Sequence, residues 1–227
     1  MGIILLALSI LPVILLMVYI YRQDKYEKEP VGLLLLTFFL GMLAIPMDLV
    51  VVNIINGIYY SETAFYSAFL EAGFPEELCK FIILFLLIWR NKNFNEYMDG
   101  IVYATFVGLG FACIENILYV FENGIGTAIM RALLSVPGHF LFGVIMGYFL
   151  SLAKFNKERR GTYLLLSLFA AAVAHGLFDW LLMVTDKLPE GFFIPIFILF
   201  IWGDIKLWKI GLKYIRKHQE SSQFKNT

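Results

Sequence analysis

From Ile3 to Tyr21 the chain runs for 19 residues without an acidic or basic side chain. An α-helix of ~20 residues, rising ~1.5 Å per residue, crosses the ~30 Å hydrocarbon layer of a bilayer. A helix also pairs its own backbone groups, which hydrocarbon demands. Six more apolar runs follow, over 31–55, 67–89, 101–121, 132–153, 162–184 and 192–208. The pattern predicts an all-α, polytopic transmembrane bundle of about seven helices. Composition agrees, with 60% hydrophobic and 16% charged residues against ~25% charged in soluble domains. Strand-like alternation is absent, so an outer-membrane barrel is excluded. The formal net charge is zero, which argues against a nucleic-acid partner. Neither a repeat nor a linker divides the chain. It reads as one membrane-embedded domain over 1–214 with a short polar cytoplasmic tail over 215–227. The first run has no basic residue before it and no small-residue cleavage site after it, so it reads as a retained helix.

Basic residues orient the bundle, because Lys and Arg concentrate in cytoplasmic segments. Arg22, Lys25 and Lys28 follow the first run, Arg90 and Lys92 the third, and Lys154, Lys157, Arg159 and Arg160 the fifth. The final segment adds Lys209, Lys213, Arg216, Lys217 and Lys225. The opposite side holds only Arg131 and Lys187. The expected topology is an outside N-terminus and a cytoplasmic C-terminus, with the lipid bilayer as the surrounding partner.

Ionisable groups in hydrocarbon cost at least ~2.5–3.5 kcal/mol each and mark functional sites. The apolar runs hold Glu76, Glu77, Lys80, Glu115, His139, His175 and Asp179. Asp48 and Glu71 stand near helix ends, within reach of the interface. Counting ~1.5 Å per residue puts Glu76 and Glu77 roughly 14–15 Å below the outer edge. The same count gives roughly 9 Å for Glu115 and roughly 10–11 Å for His139 and His175, with Asp179 nearer the edge. Four helices therefore bring polar groups to one level, as a shared water-accessible cavity requires. Glu76 and Glu77 each have Lys80 within one helical turn. Adjacent positions point about 100° apart, so the two glutamates take different jobs. His175 and Asp179 are i,i+4, the spacing of an acid that orients an imidazole. Pro75 and Pro137 precede the glutamates and His139, where each loosens its helix. Each group also has a structural reading, as a self-neutralising pair or as hydrogen-bonding glue between helices. Five such groups at one depth make expensive glue.

Carboxylates and imidazoles around a water suit hydrolysis, with Glu76 as general base and His139 and His175 expected to position the water or stabilise the oxyanion. The same residue types hold zinc. The HExxH spacing is absent, so a metal would be assembled across helices, from Glu76, Glu115, His139 and His175. A proton-coupled transporter also places acids and histidines at this depth. No inverted repeat of the kind many transporters carry is visible. A non-catalytic, immunity-type binding protein is the other alternative.

PEELCK (75–80), DGIVYATFVGLGFACIENILY (99–119), RALLSVPGHFLFGVIMG (131–147) and AHGLFD (174–179) fall in order on successive helices. On these motifs, and on DKYEKEP (24–30), the chain resembles the PrsW family of intramembrane proteases, related to the type II CAAX prenyl proteases. The resemblance implies site-1 cleavage of a single-span, membrane-anchored anti-sigma factor on its extracytoplasmic side, in a bacterial cell membrane. A second intramembrane protease then releases the sigma factor. A CAAX-type or other peptide-processing protease is the nearest alternative. By the resemblance Glu76, Glu77, Glu115, His139, His175 and Asp179 are catalytic, with Lys80 and Asn116 supporting. In CAAX-type relatives the first glutamate of the pair is considered the general base, which maps to Glu76. Those relatives carry His where this chain has Glu115 and Asn where it has Asp179. The added acid makes a divalent metal such as zinc more thinkable here.

Overall fold

A computed structural model of the chain describes residues 2–185 and 192–225; Lys187 of the charge pattern lies outside them. Every described regular element is helical. α1 is Gly2–Gln23, α2 Val31–Met42 and α3 Ala44–Ile58. α4, Ala64–Tyr66, leads through a π-helical turn, Ser67–Gly73, into α5, Phe74–Ile88. α6 is Tyr97–Asn123. α7, Ile125–Met130, leads through a second π turn, Arg131–Ser135, into α8, Val136–Phe155. α9 is Arg160–Thr185 and α10 Phe193–Lys225.

These pieces form the seven expected helical segments. Gly2–Gln23, Val31–Ile58, Tyr97–Asn123, Ile125–Phe155 and Arg160–Val184 are each long and apolar enough to cross a membrane. The α4–α5 segment interrupts its apolar sequence with Glu71, Glu76, Glu77 and Lys80. The α2–α3 span breaks at Leu43, where Pro46 has no N–H to continue the ladder. α10 continues well past residue 208, because its last turns keep a buried face against the bundle. Ile215, His218 and Ser222 are buried on it.

α6 is the central helix, with 78% of its most apolar window buried, against 17% for α1. It packs on α1, α2 and α8. Small residues permit this: a Cβ added at Gly143 of α8 would lie 2.9 Å from the Cα of Thr105 on α6. Outward faces carry lipid-facing residues instead, as in the exposed i,i+4 series Leu165, Phe169, Val173 and Leu177 of α9.

The two π turns follow from the prolines. Pro75 and Pro137 each stand in the first turn of the following α-helix, where a missing N–H is tolerated. The turn before each widens to an i→i−5 bond, Phe74 to Phe69 and Val136 to Arg131. Such widened turns gather at functional sites. Here they aim Glu76, Glu77 and His139 at the interior.

Candidate active site

Glu76 and Glu77 leave the first turn of α5 toward Lys80, one turn on. The Lys80 ammonium donates to Glu76 Oε2 at 3.0 Å and to Glu77 Oε1 at 2.8 Å. It lies 3.2 Å from His139 Nδ1 on α8 and 3.9 Å from the centre of the Phe111 ring. A charged lysine only donates, so Nδ1 accepts and the His139 proton sits on Nε2. That nitrogen is 2.8 Å from Glu115 Oε2 on α6. His175 of α9 closes the group, with Nδ1 3.0 Å from Glu77 Oε1 and Nε2 3.3 Å from Asp179 Oδ2. Its ring stacks on Phe142 at 4.5 Å and meets His139 edge-on at 5.1 Å.

Close backbone approach makes this convergence possible. Gly73, in the first π turn, faces Gly176 of α9, the neighbour of His175. A Cβ added to Gly73 would lie 2.7 Å from the Gly176 nitrogen. Glycine at both positions brings α5 near enough for Glu77 to reach His175.

Glu76, Glu115, His139, His175 and Asp179 line one cavity of about 280 Å³. Glu77 and Lys80 are not on its wall but stand behind it, buried. The two adjacent glutamates thus have different surroundings, as their 100° separation on the helix predicts. The lining residues come from the first π turn and the start of α5, the end of α6, the end of α7, the second π turn, the start of α8 and the end of α9. They occupy the half of the bundle remote from the basic segments around 24–28, 90–92 and 154–160.

The sequence alone gave Arg131 no role beyond loop charge. It lines the cavity, and its NH2 donates to Glu115 Oε2 at 2.6 Å. Its Nε donates to Asn116 Oδ1 at 3.1 Å, and its guanidinium lies 4.4 Å over the Tyr119 ring. The available signal was its place in RALLSVPGH, as the sole basic residue between the fourth and fifth runs. Asn116 is fully buried, and its amide donates to the Ser9 carbonyl at 2.7 Å. It ties α1 to the site. Glu71 accepts from Asn56 at 3.0 Å, away from the cavity lining. Asp48, expected near the interface, has its Oδ1 buried without a hydrogen-bond partner.

The fold and site define a class: a polytopic helical membrane protein with a buried glutamate–histidine centre of hydrolytic type. The model of a family described as "PrsW family intramembrane metalloprotease" matches residues 29–203. A "Protease PrsW" of Geobacillus kaustophilus is 39% identical over 200 residues, covering 87% of each chain. One of Bacillus subtilis is 37% identical over 195 residues, 86% of this chain and 88% of the relative. One of Clostridioides difficile is 35% identical over 228 residues, 95% and 92% of the two. No solved structure matches. The chain belongs to the PrsW family, and is accordingly a peptide hydrolase and a multi-pass bacterial membrane protein.

The family description implies a metal. Glu76, Glu77, His139 and His175 are buried, and each offers one donor atom within 4.8 Å of the others. In kind and spacing this group suits a divalent ion. Glu77, rather than Glu115, completes the four. With Lys80 in place, however, the group does not fit a metal. The ammonium is already bonded to Glu76, Glu77 and His139. A second cation among the same atoms would meet its charge at close range.

Proposed function

We propose that the chain cleaves a single-span, membrane-anchored anti-sigma factor in the extracytoplasmic half of the bilayer, with Glu76 activating the attacking water. The carrying observation is the division between the paired glutamates: Glu76 lines the cavity, and Glu77 is buried behind it. The hydrogen bonding of Glu76 runs through Oε2, to Lys80. Its Oε1 makes no hydrogen bond among the described residues and serves to take the water's proton. The lysine fixes the carboxylate's orientation, as a general base requires.

The cycle is short. Water loses a proton to Glu76 as its oxygen bonds to the scissile carbonyl carbon. The carbonyl electron pair moves to oxygen, giving a tetrahedral oxyanion. Glu76 then returns the proton to the departing nitrogen as the C–N bond breaks. Glu115 holds His139 and Asp179 holds His175, and through them the acids of α5 keep their places. No step is routed through zinc, because Lys80 stands among the atoms that would ligate it.

The outer-half placement rests on the distribution of Lys and Arg, which puts the N-terminus outside, and on the cavity's distance from the basic segments. The anti-sigma factor substrate rests on family membership. The test is co-expression with candidate single-span anti-sigma factors. Wild type should give a shortened product with a new outer terminus, and Glu76→Gln should give none while keeping its thermal unfolding profile. A product with folded Glu76→Gln would remove Glu76 as the base. Wild type inactive on anti-sigma factors yet active on another membrane peptide would retain the chemistry and change the substrate.

A further inference from the structure

The cycle above needs a donor for the oxyanion, and the histidines have no ring nitrogen to spare. His139 Nδ1 faces Lys80 and Nε2 faces Glu115. His175 Nδ1 faces Glu77 and Nε2 faces Asp179. Recruiting either ring would break a buried charged contact just as negative charge develops nearby. Lys80 does not line the cavity, and three of its contacts are already fixed.

Arg131 differs on each count. Apart from the histidines it is the only basic side chain on the cavity wall among the described residues. A guanidinium has five N–H donors. Two are accounted for, Nε to Asn116 and NH2 to Glu115. The other three have no partner among the described residues. The group is held at three points, Glu115, Asn116 and the Tyr119 face, and its side chain is 13% exposed. It is thus fixed before substrate arrives, which makes an oxyanion donor effective, since nothing has to reorient. The Glu115 carboxylate keeps it from being an uncompensated charge in the membrane. The second π turn begins at Arg131 and ends just before the α-helix that carries His139, so one distortion presents both residues.

We propose that Arg131 is a catalytic residue whose unspent N–H groups bind the oxyanion formed when water attacks the substrate carbonyl. This rests on the reading of Glu76 as base. The carbon–oxygen π pair moves onto oxygen, Arg131 meets that charge without giving up a proton, and collapse of the intermediate restores the carbonyl. A role restricted to holding α7 against α6 would move stability and substrate affinity, and would leave the preference for a tetrahedral anion unchanged.

The experiment uses purified full-length protein, a cleavable single-span substrate and a phosphinic peptide of the same sequence as tetrahedral mimic. Arg131→Gln should lower kcat ~10²–10³-fold, the usual cost of losing one oxyanion donor, with KM changed less than about threefold. Phosphinate affinity should fall by a comparable factor while substrate affinity holds, and Arg131→Lys should recover part of both. If Arg131→Gln does not fold, the ratio of phosphinate to substrate affinity in Arg131→Lys decides. A ratio equal to wild type in a folded variant overturns the proposal. Glu76→Gln separates the two claims. If it keeps full cleavage, the base assignment fails whatever the ratio in Arg131 variants; if it loses cleavage but binds phosphinate, both claims stand.

Discussion

Two clusters of acids stand at opposite ends of the bundle, one around the cavity of the candidate site and the other packed among buried polar partners. In the cavity cluster, Glu76, Glu77, Glu115 and Asp179 are matched by Lys80, Arg131, His139 and His175. At the far end, Asp24, Glu29, Glu96 and Asp99 are each 3% exposed or less. Lys28 donates to the Tyr21 and Asp24 backbone carbonyls. Tyr103 donates to Glu29, and the Asp99 carboxylate accepts from the Asn95 and Glu96 amides at 2.8 and 2.7 Å. The segment 24–30 is thereby fastened to the start of α6. Gln219 of α10 donates to the Gln23 carbonyl at 2.6 Å, and the Met98 amide donates to Ser222 at 3.1 Å. The far cluster is a clasp joining α1, α6 and α10. Buried acid alone therefore does not mark a candidate catalytic centre; cationic partners and a cavity wall distinguish this one.

Substitutions separate the two clusters, and the effects should rank by this difference. The largest belongs to Glu76→Gln, with cleavage down ~10³-fold or more on loss of the proposed general base. Glu77→Gln should reverse the balance. Its carboxylate holds both Lys80 and His175 in the dry interior, so stability should fall by ~3 kcal/mol, seen in thermal or denaturant unfolding. Gly73→Ala should cost ~1–3 kcal/mol by overpacking against Gly176 and reduce cleavage as Glu77 leaves His175.

A smaller effect belongs to the clasp. Burial, then the nearby Asp99 carboxylate, pushes the Glu29 carboxyl up from 4.5 to about 10. Burial likewise raises Asp24 from 3.8 to about 6. Folded protein then holds protons that unfolded chain releases, so stability falls as pH rises through each window. For Asp24 the loss runs from about pH 4 to about 6, and for Glu29 from about 4.5 to about 10. Glu29→Gln should flatten the second slope and raise Tm at pH 7.5 by about 2–4 °C, the shift ~1 kcal/mol brings in a chain of this size. Cleavage should stay within about twofold of wild type. The smallest effect is none: phenanthroline should leave cleavage unchanged, because Lys80 fills the place of a metal. Inhibition reversed by added zinc would contradict that.

Much of the cavity cluster was legible because a charge in an apolar run stands out against the cost of hydrocarbon. The helix rise then placed Glu76, Glu115, His139 and His175 at one depth, and they do meet. Other features depended on tertiary packing. Asp24, Glu29 and Asp99 stand in polar stretches, where burial leaves no trace in composition. The last half of α10 has a sequence too polar to read as a continued span, and its helix is kept by packing on α6 and α8. Pro75 and Pro137 signalled loosened turns but not their widening to π geometry. Arg131 looked like a loop charge because the second π turn that carries it inward is invisible to hydropathy.

The most direct measurement is the cleavage rate of purified full-length protein on one single-span substrate, with Glu76→Gln and Glu29→Gln compared at matched folding. A loss of ~10³-fold or more is expected for the first, with the second near wild type. Equal rates in the two variants, or cleavage by folded Glu76→Gln at the wild-type rate, would contradict a cavity built around that carboxylate.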